Sequence, residues 1–308
     1  MYVSRKTTDH PNLTLAGHAF SNADGNTTAE TQPLPSPNLV NAFDAEHGVF
    51  WSRMRPIDGR GCFGMPLIKE MGALAERLRG FHAAQLAAGA PVPSYFVSAS
   101  GIPGTYNLGG DLAHFAENIR KGDRETIGLY GHSCIDAIYE NSRSFNLPLV
   151  TIALIEGDAL GGGLECALSY DVIVAERSAK VGFPEALFNL FPGMGAYTFL
   201  SRRIGRAAAE RLISSGKTYS AEEAFRDGVI DVLAEDGEGV AEVERYVRRT
   251  SKRMNMQQAV FNARRRVEQI TESELRDVVD IWADAAMRLA PNDLRMMDRL
   301  AVAQRRRL

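Results

Sequence analysis

Cysteine is scarce: the 308 residues contain only three, Cys62, Cys134 and Cys166. An odd, widely spaced set argues against a disulfide framework and a cysteine-built zinc site, and suits a reducing compartment. Histidine adds no metal pattern, because the six present (His10, His18, His47, His82, His114, His132) lack ligand spacing and read as structural or exposed. Charge of one sign is missing too. A formal net charge of −3 gives no electrostatic footprint for a nucleic acid. Two arginine runs, 264–266 and 305–307, fall in helical stretches and read as solvated faces or the rim of an anionic-ligand site. Long apolar runs are lacking, since the longest, LPLVTIALI, is far short of a membrane span. The first residues show no charged-then-apolar leader pattern. The expectation is a cytoplasmic enzyme or binding protein without nucleic-acid or membrane partners.

Along the chain, residues 1–38 are rich in Thr, Asn, Ser, Pro and Gly without sustained periodicity, and read as a flexible N-terminal arm. A core run follows at GVFWSRMRP, then a helical pattern over MPLIKEMGALAERLRGFHAAQLAAG that stops at Gly89. SYFVSAS reads as a strand running into the glycine-rich loop GIPGTYNLGG, and two helices follow over DLAHFAENIRKG and TIGLYGHSCIDAIYENSRSF. LPLVTIALIEG is a continuous apolar strand of the kind found in parallel sheets buried on both faces. GGLECALSY reads as a short helix, DVIVAE as a strand, and SAKVGFPEALFNLFPGMGA mostly as loop. Helices and a short strand, GVIDVLAE, alternate to about residue 235, and the remainder is helical. Strands separated by helices predict an α/β fold with parallel pairing. The predicted organisation is an arm (1–38), a core (39–235) and a helical C-terminal region (236–308).

The segment EGDALGGGLECALS carries the chemistry. Glycines where a strand feeds a helix admit either an anion, which reaches the unpartnered first N–H groups of the helix, or close backbone packing. The Rossmann spacing is absent, and GKT at 216–218 lacks the upstream glycine of a phosphate loop, where Arg211 stands. Glu165 falls in the first turn of the helix, where the dipole favours its charged form. Glu185 follows Pro184 in an apolar loop and would be poorly solvated if folded inward, which raises a carboxyl pKa. Gly109-Gly110 offers a second free N–H. Two amides and two carboxylates suit proton transfer beside a carbonyl whose oxygen becomes negative.

From NLGGDL through GDALGGGLECALSYDVIVAERSAKVGFPE and FPGMGA to GKTYSAEEAFRDGVIDVL, the chain resembles the enoyl-CoA hydratase (crotonase) superfamily. YNLGGDLAHF, LFNLFPGMGAY and VVDIWADAAM are similar, within it, to synthases of diffusible signal factor, a cis-2-unsaturated fatty acid used in quorum sensing. The resemblance implies the crotonase fold, a superhelix of ββα units with a helical C-terminal extension, assembled as a trimer or hexamer. It implies oxyanion-hole amides at Gly110 and Gly162, acid/base catalysis by Glu165 and Glu185, and no cofactor or metal. By analogy Glu185 handles the C2 proton and Glu165 the departing hydroxyl or its water. The acyl chain would meet Leu160, Gly161, Met194 and Trp282, with Phe191 beside them, while Cys166 faces elsewhere as a core residue. The implied activity is dehydration and thioester hydrolysis of 3-hydroxyacyl thioesters, the alternative being an enoyl-CoA hydratase of fatty-acid β-oxidation. Arg55-Pro56 lacks the Asn-Ala pair common in coenzyme-A hydratases, which leaves room for an acyl-carrier-protein substrate beside coenzyme A. Some signal synthases also bind a sensor-kinase receiver domain.

Overall fold

The structure, a computed structural model, describes residues 33–305; most of the expected arm lies outside the described residues. Its last part is anchored. Asn38 is buried, and its N–H donates to the Glu70 carboxylate at 2.9 Å. It leads into β1 (Leu39–Asp44), which pairs antiparallel with β2 (Val49–Met54).

From β2 the large sheet continues in parallel through β3 (Tyr95–Ser100), β5 (Val150–Ile155), β7 (Val172–Glu176) and β10 (Val232–Ala234). Every residue of β3, β5 and β7 is buried, as expected of continuous apolar runs covered on both faces. On one face Val97, Ile152 and Val174 pack with Val243 and Val247 of the helix Gly239–Ser251. On the other, Phe96, Ala153 and Ile173 join the main core.

A second sheet is built from short strands that each follow a long one: β4 (Gly104–Asn107), β6 (Gly157–Leu160) and β8 (Lys180–Gly182), closed by β9 (Thr218–Ser220). β4, β6 and β8 pair in parallel, and β9 joins β8 antiparallel. The chain therefore winds as a spiral of ββα turns. Here the loop expected at GIPGTYNLGG contains β4, and the stretch expected as loop after Ser178 contains β8 and a 3-10 turn, Pro184–Phe188. Strands of three or four residues are too short to show an alternating pattern.

Helices fill the gaps between turns. We number them α1 (Met65–Ala87), α2 (Leu112–Lys121), α3 (Arg124–Ser142), α4 (Gly162–Leu168), α5 (Ala196–Ile204), α6 (Arg206–Ser215), α7 (Ala221–Arg226), α8 (Gly239–Ser251), α9 (Met254–Val267), α10 (Glu272–Ala286) and α11 (Pro291–Arg305). α1 packs along α3, α10 also lies on α3, and α11 lies on α2. Val279, Trp282 and Met297 are buried in the same core as the sheet, so the C-terminal helices complete the body that holds the site.

Candidate active site

The polar part of the site begins at two glycine turns held back to back. Gly161, at φ 52°, ends β6 and starts α4; its N–H donates to Gly182 O at 2.9 Å. Gly109, at φ 87°, ends the β4 loop. A methyl group on Gly109 would sit 2.9 Å from both Gly162 N and Leu160 O. One on Gly162 would lie 3.6 Å from Gly110 N. Of the two readings left open for these glycines, close backbone packing is seen directly: it brings two turns together, and it leaves the N–H groups of Gly110 and Gly162 without an acceptor among the described residues.

Glu165 lies in the first turn of α4 and is 1% exposed. Its Oε1 accepts from Met194 N at 2.7 Å and Ala196 N at 3.0 Å. Burial lifts its pKa to about 7, and those two N–H donors hold the rise back. The N–H groups around the start of α5 also help the charged form, and desolvation outweighs that help.

Glu185 stands in the Pro184–Phe188 turn. The residue as a whole is half-buried, but its Oε2 is buried without a hydrogen-bond partner. Burial comes first and the neighbouring Glu165 charge second in pushing its pKa up to about 8. Two carboxyls so close in value behave as one coupled acid–base unit, and the form holding a single proton prevails near neutrality.

Both glutamates, Gly110 and Gly162 line one cavity enclosing about 750 Å³, part of it open to solvent. The remaining wall is mostly apolar: Ile68 and Met71 from α1, Phe115 from α2, Ala137 and Ile138 from α3, and Trp282 from α10.

Met194 and Trp282 line the cavity as expected, with the Trp282 ring edge-on to Phe115 at 5.3 Å. Leu160 and Gly161 do not line it. The Leu160 carbonyl faces Gly109, and the Gly161 Cα is turned onto the Glu185 carboxyl. Phe191 packs against the core instead. Cys166 does reach the cavity, contrary to expectation, because α4 is so short and enclosed that successive residues meet different parts of one space. Burial raises its thiol to about 12, which leaves it protonated and a poor nucleophile.

Sequence reasoning missed Phe63, Tyr130 and Cys134, which also line the cavity. The Tyr130 hydroxyl donates to Phe63 O at 2.6 Å and ties α3 to the segment beside the Gly110 turn. A tyrosine one helical turn before Cys134 carries no local signal of such a role. Among the described residues no cluster of three or more His, Cys, Asp or Glu could hold a metal ion, and no helix is long and apolar enough to cross a membrane.

A spiral of ββα turns holding two N–H donors and a carboxyl pair over an apolar cavity defines the class: a crotonase-fold protein whose site can receive an anionic oxygen and exchange protons beside it. The family model for enoyl-CoA hydratase/isomerase matches residues 98–288, and the chain belongs to that family. It is 37% identical over 126 residues to the fatty acid oxidation complex subunit alpha of Pseudomonas syringae pv. tomato, a match covering 41% of this chain and 17% of that relative. The human mitochondrial delta3-delta2-enoyl-CoA isomerase superposes with a TM-score of 0.71 at 16% identity, over 87% of this chain and 98% of that one. The Bacillus halodurans enoyl-CoA hydratase gives 0.64 at 20%, over 88% and 98%. At those identities the two structures speak for the fold alone.

Proposed function

We propose that this protein interconverts 3-hydroxyacyl and 2-enoyl thioesters. One observation carries the reading: both carboxyls and both glycine turns open onto a single, mainly apolar cavity. The thioester oxygen would accept from Gly110 and Gly162 N–H, which suits the negative charge that grows there when C2 loses its proton. In the dehydrating direction Glu185 takes the C2 proton, Glu165 protonates the leaving hydroxyl, and water departs. Hydration runs the same steps backward, from ionised Glu165 and protonated Glu185. The lower value of Glu165 favours that second arrangement at rest, and the closeness of the two values keeps the first within reach.

The finer reading is a dehydratase that also hydrolyses the thioester and releases a cis-2-unsaturated acid as a quorum-sensing signal. Water would add to the carbonyl held at the two N–H groups, the thiol would leave, and the free acid would remain. Support for this comes from the motifs around YNLGGDLAHF and LFNLFPGMGAY, and acyl carrier protein is then the expected donor in the cytoplasm. The relatedness to a fatty acid oxidation complex subunit favours the second reading, a coenzyme-A hydratase. Assembly into a trimer or hexamer is part of the same reading and rests on the resemblance of the motifs alone.

Turnover of 3-hydroxydodecanoyl thioesters on carrier protein and on coenzyme A, with mass spectrometry of the products, tests both readings. Free cis-2 acid from the carrier-protein substrate supports signal synthesis. Trans-2-enoyl-coenzyme A as sole product supports the hydratase, and no turnover of either substrate defeats the general proposal.

A further inference from the structure

We propose that Gln304, near the end of α11, is a positioning residue that sets the direction of the Gly110 N–H. The inference rests on the oxyanion reading above. The peptide joining Gly109 to Gly110 lies between two residues without Cβ atoms, so little in its own sequence prevents it from rotating. Its orientation has to be imposed from outside. Phe63 N donates to Gly109 O at 2.8 Å, and Gly109 N donates to Asn107 Oδ1 at 2.9 Å. Gln304 supplies the remaining hold: its Nε2 donates to Leu108 O at 2.9 Å and to Gly110 O at 3.0 Å, the carbonyls on either side of that peptide. One amide group thus spans the turn that carries the proposed donor.

The same helix touches the opposite side of the site. α11 packs on the Pro184–Phe188 turn, and Asp293 accepts from Asn189 just beyond it. α11 is itself seated by Leu294, Met297 and Ala301, all buried, so its docking does not depend on Gln304. That separation makes the role testable. Gln304→Met keeps the length of the side chain and removes both donated bonds, together with the long one that Gln304 Oε1 accepts from Leu112 N at 3.5 Å, while Gln304→Lys restores a donor only.

With a thioester that the wild type turns over, Gln304→Met should lower kcat about tenfold, with KM within about twofold, because misdirecting a donor weakens the transition state more than substrate binding. Its melting temperature should stay near the parent's, and Gln304→Lys should recover most of the lost kcat. Wild-type kcat in Gln304→Met overturns the inference. So does a parallel loss of kcat and melting temperature that Gln304→Lys fails to repair, which would make Gln304 a structural residue only. An inactive wild type defeats the oxyanion reading itself and this inference with it.

Discussion

The two walls of the cavity are built by different means. The polar wall is largely main chain: two glycine turns held back to back, with Glu165 fixed by the N–H groups of Met194 and Ala196. The apolar wall is side chain: residues of α1, α2, α3 and α10, far apart in sequence and brought together by helix packing. Backbone geometry tolerates almost no variation, because one added methyl meets a neighbouring peptide. Side chains on packed helices tolerate changes of shape as long as volume is kept. On the proposed function, chemistry would reside in the rigid wall and the choice of acyl group in the adaptable one.

The largest effects should come from the polar wall. Replacing Glu165 or Glu185 by Ala should lower kcat by about 100- to 10,000-fold, the range for removing a general acid or base, with much smaller changes in KM. Gly109→Ala tests the backbone directly. Its methyl group would press on Gly162 N and Leu160 O from a left-handed φ, and activity should drop about 100- to 1,000-fold, as for a lost oxyanion donor. Steady-state kinetics on purified variants decides both. A Gly109→Ala enzyme at parental kcat would break the contrast between the walls.

The carboxyl pair should also leave its mark on stability. Unfolded, Glu185 loses its proton above about 4.5; folded, it keeps the proton until about pH 8. The folded state thus binds more protons between those values, so stability declines as pH rises through that window and levels off above it. Glu185→Gln removes this penalty. At pH 8 the variant should be more stable than the parent, seen as a higher melting temperature. The gain should shrink toward zero as pH approaches 4.5. A variant less stable than the parent at pH 8 would mean that the carboxylate is better compensated than its unpartnered Oε2 suggests.

Activity should follow a narrow bell in pH. Below about 7 both carboxyls are protonated and no base remains; above about 8 both are ionised and no acid remains. kcat/KM should peak between those values and fall about tenfold per pH unit on either side. A profile flat from pH 6 to 9 would separate the two glutamates from the rate-determining proton transfers.

How much of this was legible in the sequence follows the same division. The glycine turns and both glutamates stand out in EGDALGGGLECALS and VGFPEALF, because unusual backbone needs unusual residues. The buried strands β3, β5 and β7 were visible as apolar runs, and α1 to α3 as periodic helices. β4, β6 and β8 were not, since such short strands carry no pattern and exist only as rungs of a neighbour's ladder. The hydrogen bonds that moderate Glu165 come from the start of α5, which only the folded chain brings to α4. Leu160 was misjudged for a related reason: proximity to the turn in sequence said nothing about which way the end of β6 faces.

The smallest predicted effect belongs to the apolar wall. Ala137, in the middle of α3, is buried and lines the cavity beside Ile138. A leucine there would project into existing empty space rather than into packed core, so Ala137→Leu should fold with little loss of stability. The added volume should shorten the room for an acyl chain. Contacts worth one or a few methylenes change selectivity by about tenfold, so the kcat/KM ratio of a twelve-carbon to a six-carbon thioester should fall by about that factor. Turnover of the short substrate should stay within about twofold of the parent, because the carboxyl pair and the glycine turns are untouched. An equal loss for both lengths would show that α3 acts on the polar wall after all, through Tyr130 and its bond to Phe63. An unchanged ratio would mean that the chain leaves the site by another side of the cavity, past Trp282, where the counterpart substitution Trp282→Phe should then widen the preference toward longer chains.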